Sequence, residues 1–215
     1  KDKDLLLSVE KSLHEEKAEL DLSALQSLKN YGVLGMYLRG VDQLTVTSQD
    51  PALISGLQDK PLNHIIGFEF IEQSKHRAVI KDLSGIDHVE FTPMVRRAML
   101  LVQNMFTELL ESVKKNENNF DHIGSMDLNV NRFCFLCLRI LNKKGYENFK
   151  HTQTMFLLVH ALEELGDVLK EFGDYLTTHC ITFSDKEKKH VEQIVQLFND
   201  YHKIFFKFNL SKAAD

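Results

Sequence analysis

Proline is scarce in this chain and one-sided. There are three, Pro51, Pro61 and Pro93, and none follows Pro93 among the 215 residues. An interior proline costs a helix about 3 kcal/mol, so the proline-free remainder is free to be helical. Most of the 15 phenylalanines lie in that remainder, which gives it apolar material for a core. No run of about 18 apolar residues occurs, so no membrane-spanning helix is expected. The start, Lys1-Asp2-Lys3-Asp4-Leu5, has no long apolar stretch of the secretory kind. Three cysteines are too few, and odd in number, for a disulfide scaffold, which points to a reducing cytoplasm. A net charge of −5 gives no basic footprint for nucleic acid. What is present is ordinary for a folded protein: 43% apolar and 27% charged residues.

The region after Pro93 carries four apolar series at helical spacing. The first is Val95, Met99, Val102, Phe106, Leu109 and Val113, entered through Thr92 as N-cap and Pro93 as first helical residue. The second is Met126, Val130, Phe133, Cys137 and Ile140, with Gly145 as its stop. The third runs from Met155 through Leu158, Leu162, Leu165, Leu169 and Phe172 to Leu176. The fourth, Val191, Ile194, Phe198, Tyr201, Phe205 and Phe208, follows a capping box at Ser184 and Glu187. Short polar links between long helices predict antiparallel neighbours in an up-down bundle.

The first part reads as a small α+β domain of order α-β-α-β-β. Residues 21–38 read as a helix with Asp21 as N-cap, and residues 44–47 as a strand. Asp50-Pro51 starts a second helix that Pro61 interrupts or ends, and residues 68–72 and 77–81 form a hairpin. Residues 5–9 fit either a strand or a helix start. The expected fold is thus α+β, with a small α-β-α-β-β domain over residues 1–91 and an antiparallel four-helix bundle over residues 92–215.

On a helical wheel the third series places His160, Glu163, Glu164, Asp167, Glu171 and Asp174 opposite its apolar seam. Between His160 and Tyr175 only Lys170 offsets these five acids, a local net charge of −4. Carboxylates at i and i+4 share a face and could hold a hard cation; a solvated helix face has the same pattern. Asp127 and Asn131 make a similar pair on the second helix, unless Asp127 caps a turn and Asn131 is a surface amide. Cys134 and Cys137 sit among apolar residues with no second pair, so they read as core thiols. Arg96-Arg97 reads as surface cations or as a contact for an anion or partner. No nucleotide-binding glycine loop, zinc-protease motif or nucleophile elbow occurs, and no catalytic constellation is expected.

The string Ala161-Leu162-Glu163-Glu164-Leu165-Gly166-Asp167 resembles a signature of PhoU, the phosphate uptake regulator. Asp127 to Phe133 resembles the partner motif, with Asn131 where the family has aspartate. Tyr37 to Asp42, Ile66 to Ser74 and Val79 to Leu83 resemble archaeal PhoU-like regulators, which carry a small α+β domain before the bundle and often an AbrB-like DNA-binding domain before that. The resemblance covers roughly residues 30–215. It implies a PhoU-like bundle whose outer face binds metal (iron, zinc or magnesium) through Glu163, Asp167, Asp127 and Asn131. It implies a cytoplasmic, non-enzymatic regulator of phosphate uptake and homeostasis. Its partners would be the ATPase of a phosphate ABC transporter or a signalling protein, with Arg96 and Arg97 as candidate contacts. The alternative is a regulator of phosphate-related genes acting with a DNA-binding domain absent from this chain. The fourth helix would open a second repeat and residues 209–215 would lead into a fifth helix. Either the chain is a fragment or the protein has lost both ends. The unpaired flank that this leaves on the fourth helix suggests a homodimer.

Overall fold

The computed structural model describes residues 15–25, 29–117 and 120–207. Residues 5–9, Phe208 and residues 209–215, on which expectations were placed, lie outside them. A mixed α/β region is followed by a helical bundle.

The α/β region is built on a sheet of four strands, β1 (Lys17–Asp21), β2 (Gln43–Thr47), β3 (Phe68–Gln73) and β4 (Arg77–Asp82). Their spatial order is β1-β2-β4-β3. The β3–β4 hairpin is as the alternation predicts. β1 runs parallel to β2, pairing Leu20 with Val46, and the chain passes from β1 to β2 through helix α1 (Lys29–Arg39). The order is therefore β-α-β-α-β-β, and the expected helix over residues 21–38 is corrected at its start. Asp21 ends a strand, and its carboxylate accepts the Ser23 N–H of a short 3-10 turn instead. β1 escapes a sequence reading because this edge strand, Lys-Ala-Glu-Leu-Asp, buries only Leu20. Helix α2 (Pro51–Ser55) starts as Asp50-Pro51 predicts, with the Asp50 carboxylate accepting the Ala52 N–H. Leu44 and Val46 of β2 and Ala78 and Ile80 of β4 pack with Val33 and Tyr37 of α1 into one core.

The bundle comprises α3 (Phe91–Lys115), α4 (Asp121–Lys144), α5 (Thr152–His179) and α6 (Asp185–Phe206). α3 begins at Phe91, after Glu90, so Thr92 and Pro93 lie within its first turn and Thr92 is not its cap. Gly145 does end α4, and the Glu187 carboxylate accepts from the Ser184 N–H at 2.8 Å where α6 starts. All six seam residues of α3 are buried. On α5 the buried line is Val159, Leu162, Gly166, Leu169, Gly173 and Leu176, rotated toward α4 from the expected seam. Met155, Leu158 and Leu165 are only half-buried, and Phe172 is exposed. The glycines cause the rotation: a Cβ on Gly166 would come 3.1 Å from Asp127 Oδ1 and 3.2 Å from a Val130 methyl, so α5 approaches α4 through them. α6 lies on α3, with Phe198 against Phe106, and is not in close backbone contact with α5.

Arg139 of α4 joins the two regions. It is fully buried in a stretch that is otherwise apolar. Its guanidinium donates to Asp82 Oδ2 at 2.8 Å, to Asp42 Oδ1 at 3.2 Å and to the Tyr37 carbonyl at 2.6 Å. It also stacks over Tyr37, 4.7 Å from the ring centre. Lys143 pairs with Asp42, and Asn142 donates to the Leu38 carbonyl at 2.7 Å. The chain leaves α1 through Gly40 at φ 107, a left-handed position where a Cβ would also meet Lys143.

Breaking a buried ion pair from one side costs about 3–5 kcal/mol, because the other charge stays buried. Arg139→Met is expected to lower stability by about that amount in urea unfolding, and Arg139→Met/Asp42→Asn/Asp82→Asn by clearly less. Equal losses would mean that packing, not charge, is what Arg139 contributes.

Burial works against ionisation of Asp42, yet Lys143, the Glu16 N–H and Arg139 together hold its carboxyl below the usual aspartate range. A depressed carboxyl adds stability that is complete above the unfolded pKa and is lost as pH falls through the lower folded value. Asp42→Asn is therefore expected to flatten the fall in the urea midpoint below about pH 4. An unchanged acid slope would show that Asp42 is not a source of it.

Candidate functional site

The polar cluster between α4 and α5 starts from Asp127. An aspartate one turn before Asn131 on a helix face shares that face with it. Both are buried, Asp127 at 3% and Asn131 at 7% exposure, so neither lies on an outer face and Asn131 is not a surface amide. The reason is again Gly166, which lets α5 close over this part of α4. Asn131 Nδ2 donates to Asp127 Oδ2 at 3.3 Å, and the Lys170 ammonium stands 3.7 Å from the same oxygen. Asp127 Oδ1 and Asn131 Oδ1 are buried and have no hydrogen-bond partner. Orphaned acceptors of this kind are uncommon and costly.

Glu163 and Asp167 flank Gly166 on α5 and are half-buried. The structure thus brings the two expected pairs to one helix–helix seam. Burial, joined by Asp167 and opposed by Lys170, pushes the Asp127 carboxyl up to about 6. Burial also raises Glu163, again with Asp167 adding repulsion and His160 opposing it. His64, in the 3-10 turn Leu62–His64 of the α/β region, is lowered by burial and then by Lys170 and Arg132, while Asp167 acts the other way. That turn therefore borders the same cluster. Arg132 Nε is buried there without a partner.

A second grouping on α5 includes His160, which the helical wheel places on the acidic face without marking it as a ligand. Donor atoms of His160, Glu163 and Glu164 lie within 4.8 Å of one another. His160 Nδ1 is 3.7 Å from Glu163 and Nε2 is 3.7 Å from Glu164. The i, i+3, i+4 spacing was the available signal. Glu163 belongs to both groupings. Arg96 and Arg97 are elsewhere, exposed on α3, where Arg96 lies 4.3 Å over the Phe206 ring and Arg97 6.0 Å from the Phe133 ring. Cys134 and Cys137 are buried as expected, and burial pushes the Cys137 thiol up to about 12, so it is unreactive.

Comparison with family models, with curated proteins and with solved structures finds no match. The resemblance to PhoU therefore rests on the short strings alone. Two of the expectations drawn from it are corrected. Among the described residues no phosphate-linked feature and no clear dimer face is evident. Among the same residues no helix is long and apolar enough to cross a membrane.

A buried acid with a raised pKa is stabilising when protonated. Its contribution is complete below the unfolded pKa and is lost as pH rises through about 6. Asp127→Asn is expected to raise the thermal midpoint of chelator-treated protein at neutral pH. A gain of 1 kcal/mol would appear as about 2–4 °C at this size. The two proteins should converge as pH falls below about 4, where Asp127 is protonated. A lower midpoint for the variant at neutral pH would show that Lys170 already compensates the charge.

Proposed function

We propose that the chain is a non-catalytic regulator that works by docking to partners and holds a divalent cation between α4 and α5. The observation that carries the cation is the pair of buried acceptors, Asp127 Oδ1 and Asn131 Oδ1, left without partners beside two half-buried carboxylates. A cation there would take both oxygens, relieve the repulsion among Asp127, Glu163 and Asp167, and replace the Lys170 ammonium. The donors are all oxygens, which suits a hard ion such as magnesium better than zinc. His160 would add a nitrogen donor only through the second grouping, whose Glu163 is shared. The docking half of the reading follows the PhoU resemblance and needs no reacting group.

Calorimetric titration of chelator-treated protein tests the cation. Magnesium is expected to bind and to raise the thermal midpoint; an ion at about 100 times its Kd adds about 2.7 kcal/mol. Asp127→Asn and Glu163→Gln/Asp167→Asn are expected to abolish both effects, and His160→Gln/Glu164→Gln to leave them. If the last variant alone abolishes binding, the cation sits on the exposed α5 grouping. Identical shifts in all variants would remove the site altogether.

A further inference from the structure

The geometry points to an open apolar groove between α5 and α6 that takes an amphipathic helix of basic character from a partner protein. This inference rests on the docking half of the reading above and not on the cation.

The two helices are consecutive and both pack closely on α3, whereas their backbones approach each other little. Each presents an apolar stripe that no other described residue covers. On α5 the stripe is Leu157, Ala161, Val168, Phe172 and Tyr175, at steps of 4, 7, 4 and 3. Leu157 is 67% exposed and Val168 56%. These residues lie on the flank of α5 opposite to Glu163 and Lys170, which border α4. On α6 the stripe is Ile194, Leu197 and Tyr201, with Leu197 72% exposed. The polar flank of α6 is tied to α3: Glu192 pairs with Lys114 and Asn199 with Gln103, each at 2.7 Å. Its apolar flank is therefore the one turned toward α5. The two stripes face a common trough with α3 beneath it.

Large apolar side chains in contiguous exposed rows mark interaction surfaces, and a trough between two helices fits a third helix by its i, i+3, i+4 and i+7 residues. Charge selects the occupant. The α5 wall is rimmed by exposed Glu164 and Glu171. The α6 wall opens on Lys186 and His190 and carries Gln193 and Asp200 farther along its rim, where the Asp200 carboxylate accepts from Gln196 and Lys203. A helix that places lysine or arginine against the α5 rim gains there, and on the α6 side its apolar face meets Ile194 and Leu197 beyond the Lys186 end. A second copy of this chain is a poor fit, since a symmetric pairing would set one acidic α5 face near another and the chain's net charge is −5.

The test uses the full chain in chelator, so that it stands or falls apart from the cation. The probe is a labelled synthetic peptide of about 18 residues, long enough to lie along Leu157 to Tyr175 at ~1.5 Å per residue, with a leucine stripe and lysine flanks. Two controls carry glutamate flanks, or the lysine peptide's composition in scrambled order. The lysine peptide is expected to bind in fluorescence anisotropy, about tenfold or more tighter than either control. Val168→Glu and Leu197→Glu should each weaken it about tenfold, whereas Leu83→Glu, on the α/β region and also exposed, should not. Glu164→Lys/Glu171→Lys should turn the preference toward the glutamate peptide. Leu197→Gln serves if a charged variant loses its helical circular dichroism. No binding, binding unchanged in both groove variants, or a self-associated protein that Leu197→Glu disperses in sedimentation would each overturn the proposal.

Discussion

Arg139 has no water around it, and a guanidinium in that position must find its partners within the protein. It finds them on two strands' ends and one helix end of the other region: Asp42 before β2, Asp82 at the end of β4, and the Tyr37 carbonyl near the end of α1. The contact is directional, because the fork of donors satisfies three acceptors at once. Apolar packing alone would let α4 slide along the sheet at small cost. The fork permits one register. Everything placed relative to α4 follows from it, including the Leu62–His64 turn that brings His64 alongside Asp167 and Lys170.

At the other end of α4 the same helix carries a group that is not satisfied. Asp127 is buried as deeply as residues of the core, but it has one weak hydrogen bond, one ammonium at 3.7 Å and one orphaned oxygen. A leucine there would pack against Gly166 without any of these costs. The contrast between the two buried charges is informative. The one where α4 meets the α/β region is fully paired and serves the fold. The one at the α4–α5 seam is underpaired, and such local costs concentrate where a ligand is to be met.

The helices were legible in the sequence because their apolar spacing repeats over many turns, and errors at single residues cancel. The hairpin β3–β4 was legible for the same reason on a shorter scale. β1 was not, since an edge strand with one buried side chain leaves almost no pattern. The α5 face was half legible: Glu163 and Asp167 do share a side, but that side adjoins α4 and is not the outermost one. The wheel weighs large apolar residues and gives glycine no weight, while the packing is set by Gly166 and Gly173, where nothing stands between the helices. Arg139 left a usable signal, one basic residue inside Phe-Cys-Phe-Leu-Cys-Leu-Arg-Ile-Leu, which an apolar-series reading passes over.

The glycines also account for the asymmetry of the bundle. Pulled toward α4, α5 turns its buried line to the glycine side and carries the expected seam residues Leu165 and Phe172 outward. A helix rotated in this way has three faces instead of two: a buried one, an acidic one bordering α4, and an apolar one left over. α6 could have covered the leftover face by packing on α5. Its own best contacts are to α3 instead, through Phe198 on Phe106 and two polar pairs at 2.7 Å. Two apolar flanks are then exposed by a single cause, the close approach at Gly166 and Gly173. The seam that strains Asp127 and the trough that exposes Val168 and Leu197 are opposite sides of one packing decision, made by two residues without side chains.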